Sequence, residues 1–496
     1  MSDGIQNNKE KRIREFLWII IGISIIFRVL TAILTDNFNH PDENFQIYEQ
    51  AHRIVFGYGI IPWEFHYDLR SWLVPGFVAA MLYPFRLLGI DDPFIYTKAI
   101  KIILSLISVL VVISAYRIGR EKSGSEAGLW AAFLCAIWYE IVYFSIRPLS
   151  EVWAATFFIT AVAVVSGRRD SATGSLAAGV LMALCAAVRI HYLPVVITAA
   201  LFFWAGATRD DRIRFAGAFI LVVIMVGVFD WLTLGGFFRS YVNYFKFGSA
   251  YNIGEFPSGF TPFSYLIEVG RTSLLIAGVF LILGINYFRK TAVLIISALV
   301  VLISHGIVPM KEHLASIRFV YIAIPLIMAA GGIGIAELRK GIIREGRRRI
   351  LAITIPIIVA LFSLSGALGL SQNRDKEYSC RFFDRDPALA AYVFVHDEAN
   401  LRAVFDATNF WFFSGGFYYL HREVPLYFID YPPPSPDYIS HIIAGREMMM
   451  PKGFEFIRSF GDIVIYARQD KDFTYPADPE YSRDMTPPEI KNRYGE

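Results

Sequence analysis

Long apolar runs alternate with short basic clusters along this chain, the spacing of a protein that crosses a bilayer many times. A spanning helix needs about 20 largely apolar residues. Runs of that kind lie at 16–34, 94–116, 126–144, 150–166, 174–190, 192–206, 215–233, 265–288, 291–308, 318–336 and 350–371. They predict an all-α polytopic membrane domain of about 11 transmembrane helices. The pattern then changes. "DPALAAYVFVHDEAN" predicts a helix with Pro387 in its first turn. "LRAVFDA", "PLYFI", "YISHIIAG" and "FGDIVIYAR" predict short strands, broken by the turn-rich "YPPPSPD". The expected domains are therefore a membrane domain over 1–371 and a small α/β extramembrane domain over 372–496.

The basic clusters assign a side to each loop, because Lys and Arg favour the cytoplasmic face. With the N-terminus inside, that face receives Arg117, Arg120 and Lys122, then Arg168 and Arg169, then Arg209, Arg212 and Arg214. It also receives Arg289, Lys290 and the dense cluster from Arg339 to Arg349. The apolar stretch Trp72–Ile90 contains Pro75, Pro84 and Arg86. Were it to cross, every later basic loop would change sides, so it is expected to lie along the outer interface. Three segments then face outward: a first loop (35–93), a mid-chain loop (234–264) and the tail. The run from Phe16 to Leu34 is long for a signal peptide and lacks a small-residue cleavage site, which predicts a retained first span.

Composition narrows the function classes. Apolar residues make up 55% of the 496 and charged ones 18%, while a net charge of +3 gives no reason to expect nucleic acid. Cys135, Cys185 and Cys380 have neither disulfide-framework nor metal-ligand spacing. No metal site and no cofactor is expected.

The first outer loop carries the candidate chemistry, in "HPDENFQIYEQAHRIVFGYGIIPWEFHYDLRS". Pro41 suits the first position of a helix capped by Asn39 or His40. On that helix Asp42, Gln46, Glu49 and Arg53 recur at i, i+4, i+7 and i+11 and share one face. Adjacent carboxylates at the mouth of a span can supply a general base. Asp and Glu in a first turn also simply oppose the helix dipole, so Asp42 and Glu43 have a structural reading as well. Arg147 and Glu151, in "IRPLSE", are one turn apart and can pair with each other. His191 and His305 read as hydrogen-bonded structural histidines before ligands, and Lys311 and Arg318 also read as interfacial flanking residues.

The first-loop segment resembles the signature of the polyprenyl-phosphate-mannose-dependent mannosyltransferases that extend asparagine-linked glycans and GPI anchors. The match runs through His40, Pro41, Asp42, Glu43, Phe45, Gln46, Glu49, His52, Gly57, Gly59, Trp63, Glu64, Arg70 and Ser71. "VNYFKFG", with Lys246, is similar to a mid-chain outer element of that family. "SHGIVPMKEHLASIRFVYIAIP" is similar to another, through Ser304, His305, Pro309, Lys311, Glu312, Arg318, Phe319 and Pro325, with the extra residues "HLASI" before Arg318. "AAVRIHYLP", with Arg189, resembles a further short element. The likeness covers roughly 25–330, and the tail looks more like the outer α/β domain of bacterial GT-C enzymes.

The resemblance implies a GT-C fold and an inverting transfer of mannose from a polyprenyl-phosphate donor to a lipid-linked or membrane-bound glycan acceptor. It implies Asp42 as the base, with Glu43 the competitor. It further implies Arg147, Arg189, Lys311 and Arg318 as partners of the donor phosphate, with His40, Gln46, Arg70, Lys246, His305 and Glu312 in the substrate site. Three rival readings remain: transfer of another sugar by the same fold, a lipid or sugar flippase, and a non-catalytic assembly subunit. A flippase would place ionisable groups near the midplane of its spans, whereas here they gather at outer span ends. The expected location is a prokaryotic plasma membrane with an extracytoplasmic site, or the endoplasmic reticulum if the chain is eukaryotic.

The sidedness is directly testable. Reporter fusions or cysteine labels near residues 60, 250 and 430 should all report the side opposite the N-terminus. A cytoplasmic signal at 430 would overturn the topology.

Overall fold

The computed structural model describes residues 2–167, 171–248, 261–273, 275–307, 317–341, 345–369, 380–409, 411–430, 435–449 and 452–470, then 473–475, 478, 481–487 and 490–491. They form two compact units, Met1–Ala32 with Lys101–Phe382, and Ile33–Ile100 with Phe383–Glu496. In place of one cut at 371/372, the first outer loop groups with the tail, and the helix Pro93–Ser123 contributes to both units.

In the first unit, apolar runs become helices because a bilayer offers no partner to a free backbone N–H or C=O. Five described helices are long and apolar enough to cross: Asn7–Leu34, Pro93–Ser123, Ser150–Gly167, Arg209–Leu234 and Phe288–Ile307. Ser264–Thr272 and Ile276–Asn286, bent by 114°, make up to six if counted as one span. The remaining expected spans occur as shorter apolar helices, among them Ser125–Ile137, Ala172–Val188 and Ile353–Ala367, and as the helix Ala323–Gly341. Large apolar side chains such as Leu221, Met225 and Leu232 stay exposed on these helices, as lipid-facing surface should.

The span expected over 126–144 is broken. Trp138 is extended (ψ 123°) between the helices Ser125–Ile137 and Tyr139–Phe144. Glu140 explains the break. This fully buried carboxylate accepts hydrogen bonds from Trp138 Nε1 at 2.8 Å, Tyr139 Oη at 3.2 Å and Ser273 Oγ at 2.9 Å. Residues two apart on a continuous helix do not face each other, so Trp138 reaches Glu140 only because the helix stops between them.

Arg28 solves the same problem in the first span. Its guanidinium is completely buried. Nε donates to Ser108 Oγ (2.9 Å), Nη1 to Ser24 Oγ (2.6 Å) and the Ala136 carbonyl (2.9 Å), and Nη2 to the Cys135 carbonyl (3.1 Å). The carbonyls it caps lie at the end of Ser125–Ile137, and Ser108 sits between the helices Pro93–Ile107 and Val109–Ser123.

In the second unit, seven strands are β1 (Ile61–Pro62), β2 (Val404–Ala407), β3 (Leu426–Phe428), β4 (His441–Gly445), β5 (Phe454–Phe460), β6 (Ile463–Arg468) and β7 (Asp484–Met485). Five form a mixed sheet in the order β3-β2-β4-β6-β5. β3, β2 and β4 run parallel, while β6 is antiparallel to both β4 and β5. Ile442, Ala444, Phe454, Val464 and Tyr466 build one core cluster of the sheet. The expected helix runs Pro387–His396, with Asp386 capping Ala388 N–H and Pro387 at its start. Within the five-stranded sheet, β5 is the strand that the sequence does not predict, although "FEF" alternates as an edge strand should.

The first loop joins this unit through β1, parallel to β7, and through Asp36, which pairs with Lys98 at 3.6 Å and bridges to Arg385. Tyr48, Tyr96 and Tyr418 pack as an aromatic group with ring separations of 4.8 and 5.1 Å.

Replacing Arg28 by Ala strips partners from two hydroxyls and two carbonyls in a dry site. We expect a loss on the order of 3 kcal/mol, read as a lower unfolding temperature of the detergent-solubilised protein. An unchanged melting curve would show that these groups find other partners.

Candidate functional site

The helix opened by Pro41 does not stay α-helical. It widens to a π-helix over Glu43–Tyr48 and returns to α over Glu49–Phe56. The Glu49 N–H bonds the Asn44 carbonyl five residues back. Gln50 Nε2 covers the Phe45 carbonyl at 2.6 Å and also reaches Ile60 O at 3.2 Å. Such π segments concentrate at functional sites.

The widening separates residues that the α-helical spacing puts on one face. Asp42 and Gln46 go one way. Gln46 Nε2 donates to Glu64 Oε1 at 2.8 Å, and both Asp42 and Arg70 act electrostatically on Glu64. Asp42 keeps 28% of its side chain exposed, beside His40. His40 Nδ1 accepts the Asp42 N–H at 3.2 Å. A nitrogen that accepts this bond carries no proton, so the 3.5 Å approach of Nδ1 to Asp42 Oδ1 is not then an ion pair. Glu43, in contrast, is fully buried, and its Oε2 accepts the Asn39 N–H at 2.9 Å. Of the two adjacent acids, Asp42 is the one with a part-exposed side chain.

Glu49 goes the other way. Its buried carboxylate accepts backbone N–H groups of Ile60 (2.7 Å), Phe417 (3.2 Å) and Tyr418 (2.8 Å). Burial nevertheless pushes its pKa up to about 7. His52 is equally structural. With Nδ1–H donating to Tyr58 O at 3.0 Å, its Nε2 receives the proton of His421 Nδ1 at 3.1 Å. Burial holds these histidines at about 3 and about 4, so both are neutral. Arg53 bonds Gln50 Oε1 at 2.6 Å.

Glu64 is the functional candidate that the sequence reading left as a motif match. Its short helix Trp63–His66 ends with Asp68 left-handed (φ 54°) and Leu69 N–H bonding Glu64 O at 2.7 Å, a Schellman-type stop that brings Arg70 round. Desolvation pushes Glu64 up to about 7, Arg70 opposes this, and Asp42 adds to it.

The first unit gathers a second group. Arg189 and Arg318 are buried, with their guanidinium carbons 5.5 and 4.4 Å from the Phe319 ring centre. Glu151, the residue one turn from Arg147, pairs with Arg189 at 3.1 Å. Arg147, also buried, lies 4.5 Å over the Tyr143 ring. His305 sits 3.0 Å from the Val301 carbonyl through Nδ1, which leaves Nε2 as an acceptor, without a partner among the described residues. The His191 ring is 6.2 Å away and bonds Tyr244 Oη at 2.8 Å. Lys246 is exposed in the π segment Tyr244–Gly248. Lys311 and Glu312 lie outside the described residues. Among the described residues no three His, Cys, Asp or Glu are grouped to hold a metal ion.

The model of the Alg9-like mannosyltransferase family matches residues 18–380, which takes in both groups. The chain belongs to that family. It is similar to GPI mannosyltransferase 3 of Yarrowia lipolytica, at 24% identity over 435 residues, or 84% of this chain and 77% of that one. It is 23% identical over 340 residues to GPI alpha-1,2-mannosyltransferase 3 of Bos taurus, covering 66% of this chain but only 60% of the bovine one. This Alg9-like chain is thus a membrane mannosyltransferase by family. The fold is GT-C. It is like ArnT from Cupriavidus metallidurans, crystallised with undecaprenyl phosphate, at a TM-score of 0.61 and 10% identity over 93% of this chain and 99% of that one. It is also like the Archaeoglobus fulgidus oligosaccharyltransferase, at 0.51 and 11% over 87% and 68%.

Glu64 gives a pH dependence with a definite sign. A carboxyl raised to about 7 holds its proton in the folded state after the unfolded chain has lost it. Its stabilising contribution is complete below the ordinary carboxylate range and fades as pH rises through about 7. Glu64→Gln should flatten the decline in melting temperature between about pH 5 and 8. Parallel wild-type and variant profiles would show that Glu64 does not titrate there.

Proposed function

We propose that this protein is an inverting mannosyltransferase. It moves mannose from a polyprenyl-phosphate carrier to a hydroxyl of a lipid-linked glycan, on the membrane side opposite its N-terminus. The observation that carries the reading is the part-exposed Asp42 at the head of the π-helix, coupled to Glu64 and Arg70. Family membership supports the sugar. The relatives named GPI mannosyltransferase 3 support a glycolipid acceptor.

In the proposed step the Asp42 carboxylate takes the proton of the acceptor hydroxyl. The oxygen forms a bond to C1 of mannose from the face opposite the carrier. The bond between C1 and the phosphate oxygen breaks, its electron pair leaves with the phosphate, and the anomeric configuration inverts. Arg189, Arg318 and Lys311 offset the charge that grows on the leaving phosphate. Arg147 and His305 are assigned to the same donor side, and Lys246 and Glu312 to substrate contacts. Gln46 and Arg70 fix Glu64 beside Asp42, and His40 fixes the helix start. The face is extracytoplasmic in a prokaryotic plasma membrane and luminal in an endoplasmic reticulum.

Purified protein given polyprenyl-phosphate mannose and a mannose-terminated glycolipid should form a new glycosidic bond. Asp42→Asn keeps the size of the side chain but cannot take the proton, and should lower kcat by about 10²–10⁴-fold with KM little changed. Glu43→Gln, altering a buried cap, should turn over near the wild-type rate. A dead Glu43→Gln beside an active Asp42→Asn would move the base by one residue. Vesicles in which lipid changes sides without bond formation would reject the transferase reading.

A further inference from the structure

A separate feature lies at the other end of the first unit, where the basic helix ends meet. Glu337 accepts Lys290 Nζ at 2.5 Å and Lys340 Nζ at 2.6 Å, and Arg339 donates to Glu126 at 2.5 Å. These contacts join Ser125–Ile137, Phe288–Ile307 and Ala323–Gly341 at their basic ends. Beside them opens a cavity of about 150 Å³. Lys122, Arg289 and Lys290 line it with no carboxylate among the described lining residues, and Val162, Met182 and Phe203 contribute to its apolar wall.

Among the described residues Glu337 accepts from both Lys290 and Lys340, while Lys122, Arg289 and Lys290 all turn toward the cavity. Arg289 and Lys290 also stand in the first turn of the 20-residue helix Phe288–Ile307, the end at which the dipole is already positive and cations are disfavoured. An anion in the cavity would offset both the side chains and the helix end. Glu121 lies beside Gly167 and is not among the described lining residues.

We propose that this cavity is a headgroup site for an anionic phospholipid of the leaflet on the N-terminal side. The phosphate meets Lys122, Arg289 and Lys290, and the first carbons of the acyl chains lie against Val162, Met182 and Phe203. A cavity part cationic and part apolar suits an amphiphile better than a small ion. The site is distinct from the two groups assigned to transfer, and its ligand is read by binding without turnover.

The test is native mass spectrometry of the full chain titrated with phosphatidylglycerol or phosphatidylcholine. Phosphatidylglycerol should bind more tightly, and Arg289→Gln and Lys122→Gln should each weaken it about fivefold while leaving phosphatidylcholine unchanged. Arg239→Gln, outside the cavity, should not alter either lipid. Matching melting temperatures would show that the variants are folded. Equal affinity for the two lipids, or a Lys122→Gln/Arg289→Gln double variant that retains phosphatidylglycerol, would overturn the site. Displacement of the lipid by glycerol phosphate at equal concentration would overturn the lipid assignment in favour of a free phosphate. Failure of glycerol phosphate to compete would support the lipid.

Discussion

The second unit depends on one buried carboxylate. Glu49 gathers three backbone N–H groups, from Ile60 in its own loop and from Phe417 and Tyr418 far along the chain. No apolar residue could stand in for it, because each N–H would then be buried without an acceptor. The first loop is thereby fastened to the tail at the base of the helix that presents Asp42. The backbone that holds Asp42 in place is fixed by polar contacts as much as by the Tyr48–Tyr418 packing.

The membrane unit answers the same constraint with different residues. Arg28 and Glu140 are ionisable groups in apolar surroundings, each given several partners by helix ends and breaks. Neither shares the exposure of Asp42. A charge enclosed by fixed donors or acceptors holds helices in register, whereas a charge left part-open beside a second carboxylate can exchange a proton. That difference sets Asp42 apart from the buried groups of the membrane unit.

Much of this was legible in the residues. Apolar runs and one-sided basic loops gave the membrane unit, and alternation with turn residues gave β2, β3, β4, β6 and the helix Pro387–His396. The ordered first-loop signature named the family. Three things were hidden for physical reasons. The break at Trp138 follows from where Glu140 finds donors, which hydropathy does not encode. Glu64 becomes interesting only when Gln46 and Asp42 meet it in space. The grouping of the first loop with the tail rests on β1 and β7, two residues each, too short to leave a periodicity. The roles assigned to individual side chains rest on their geometry and on family likeness.

The π-helix has a consequence for insertion and deletion variants. A π turn carries one residue more than the α-helix around it can use, so Glu43–Tyr48 can shed a residue and close into ordinary α-helix without breaking the chain. Because one revolution takes one residue more in the π turn than in the α turn, the segments on either side would keep nearly the same rotation relative to each other. A single-residue deletion in this segment should therefore leave Asp42 and Glu49 in their present relation, whereas the same deletion in the α-helical turns after Glu49 would rotate what precedes it by about 100°.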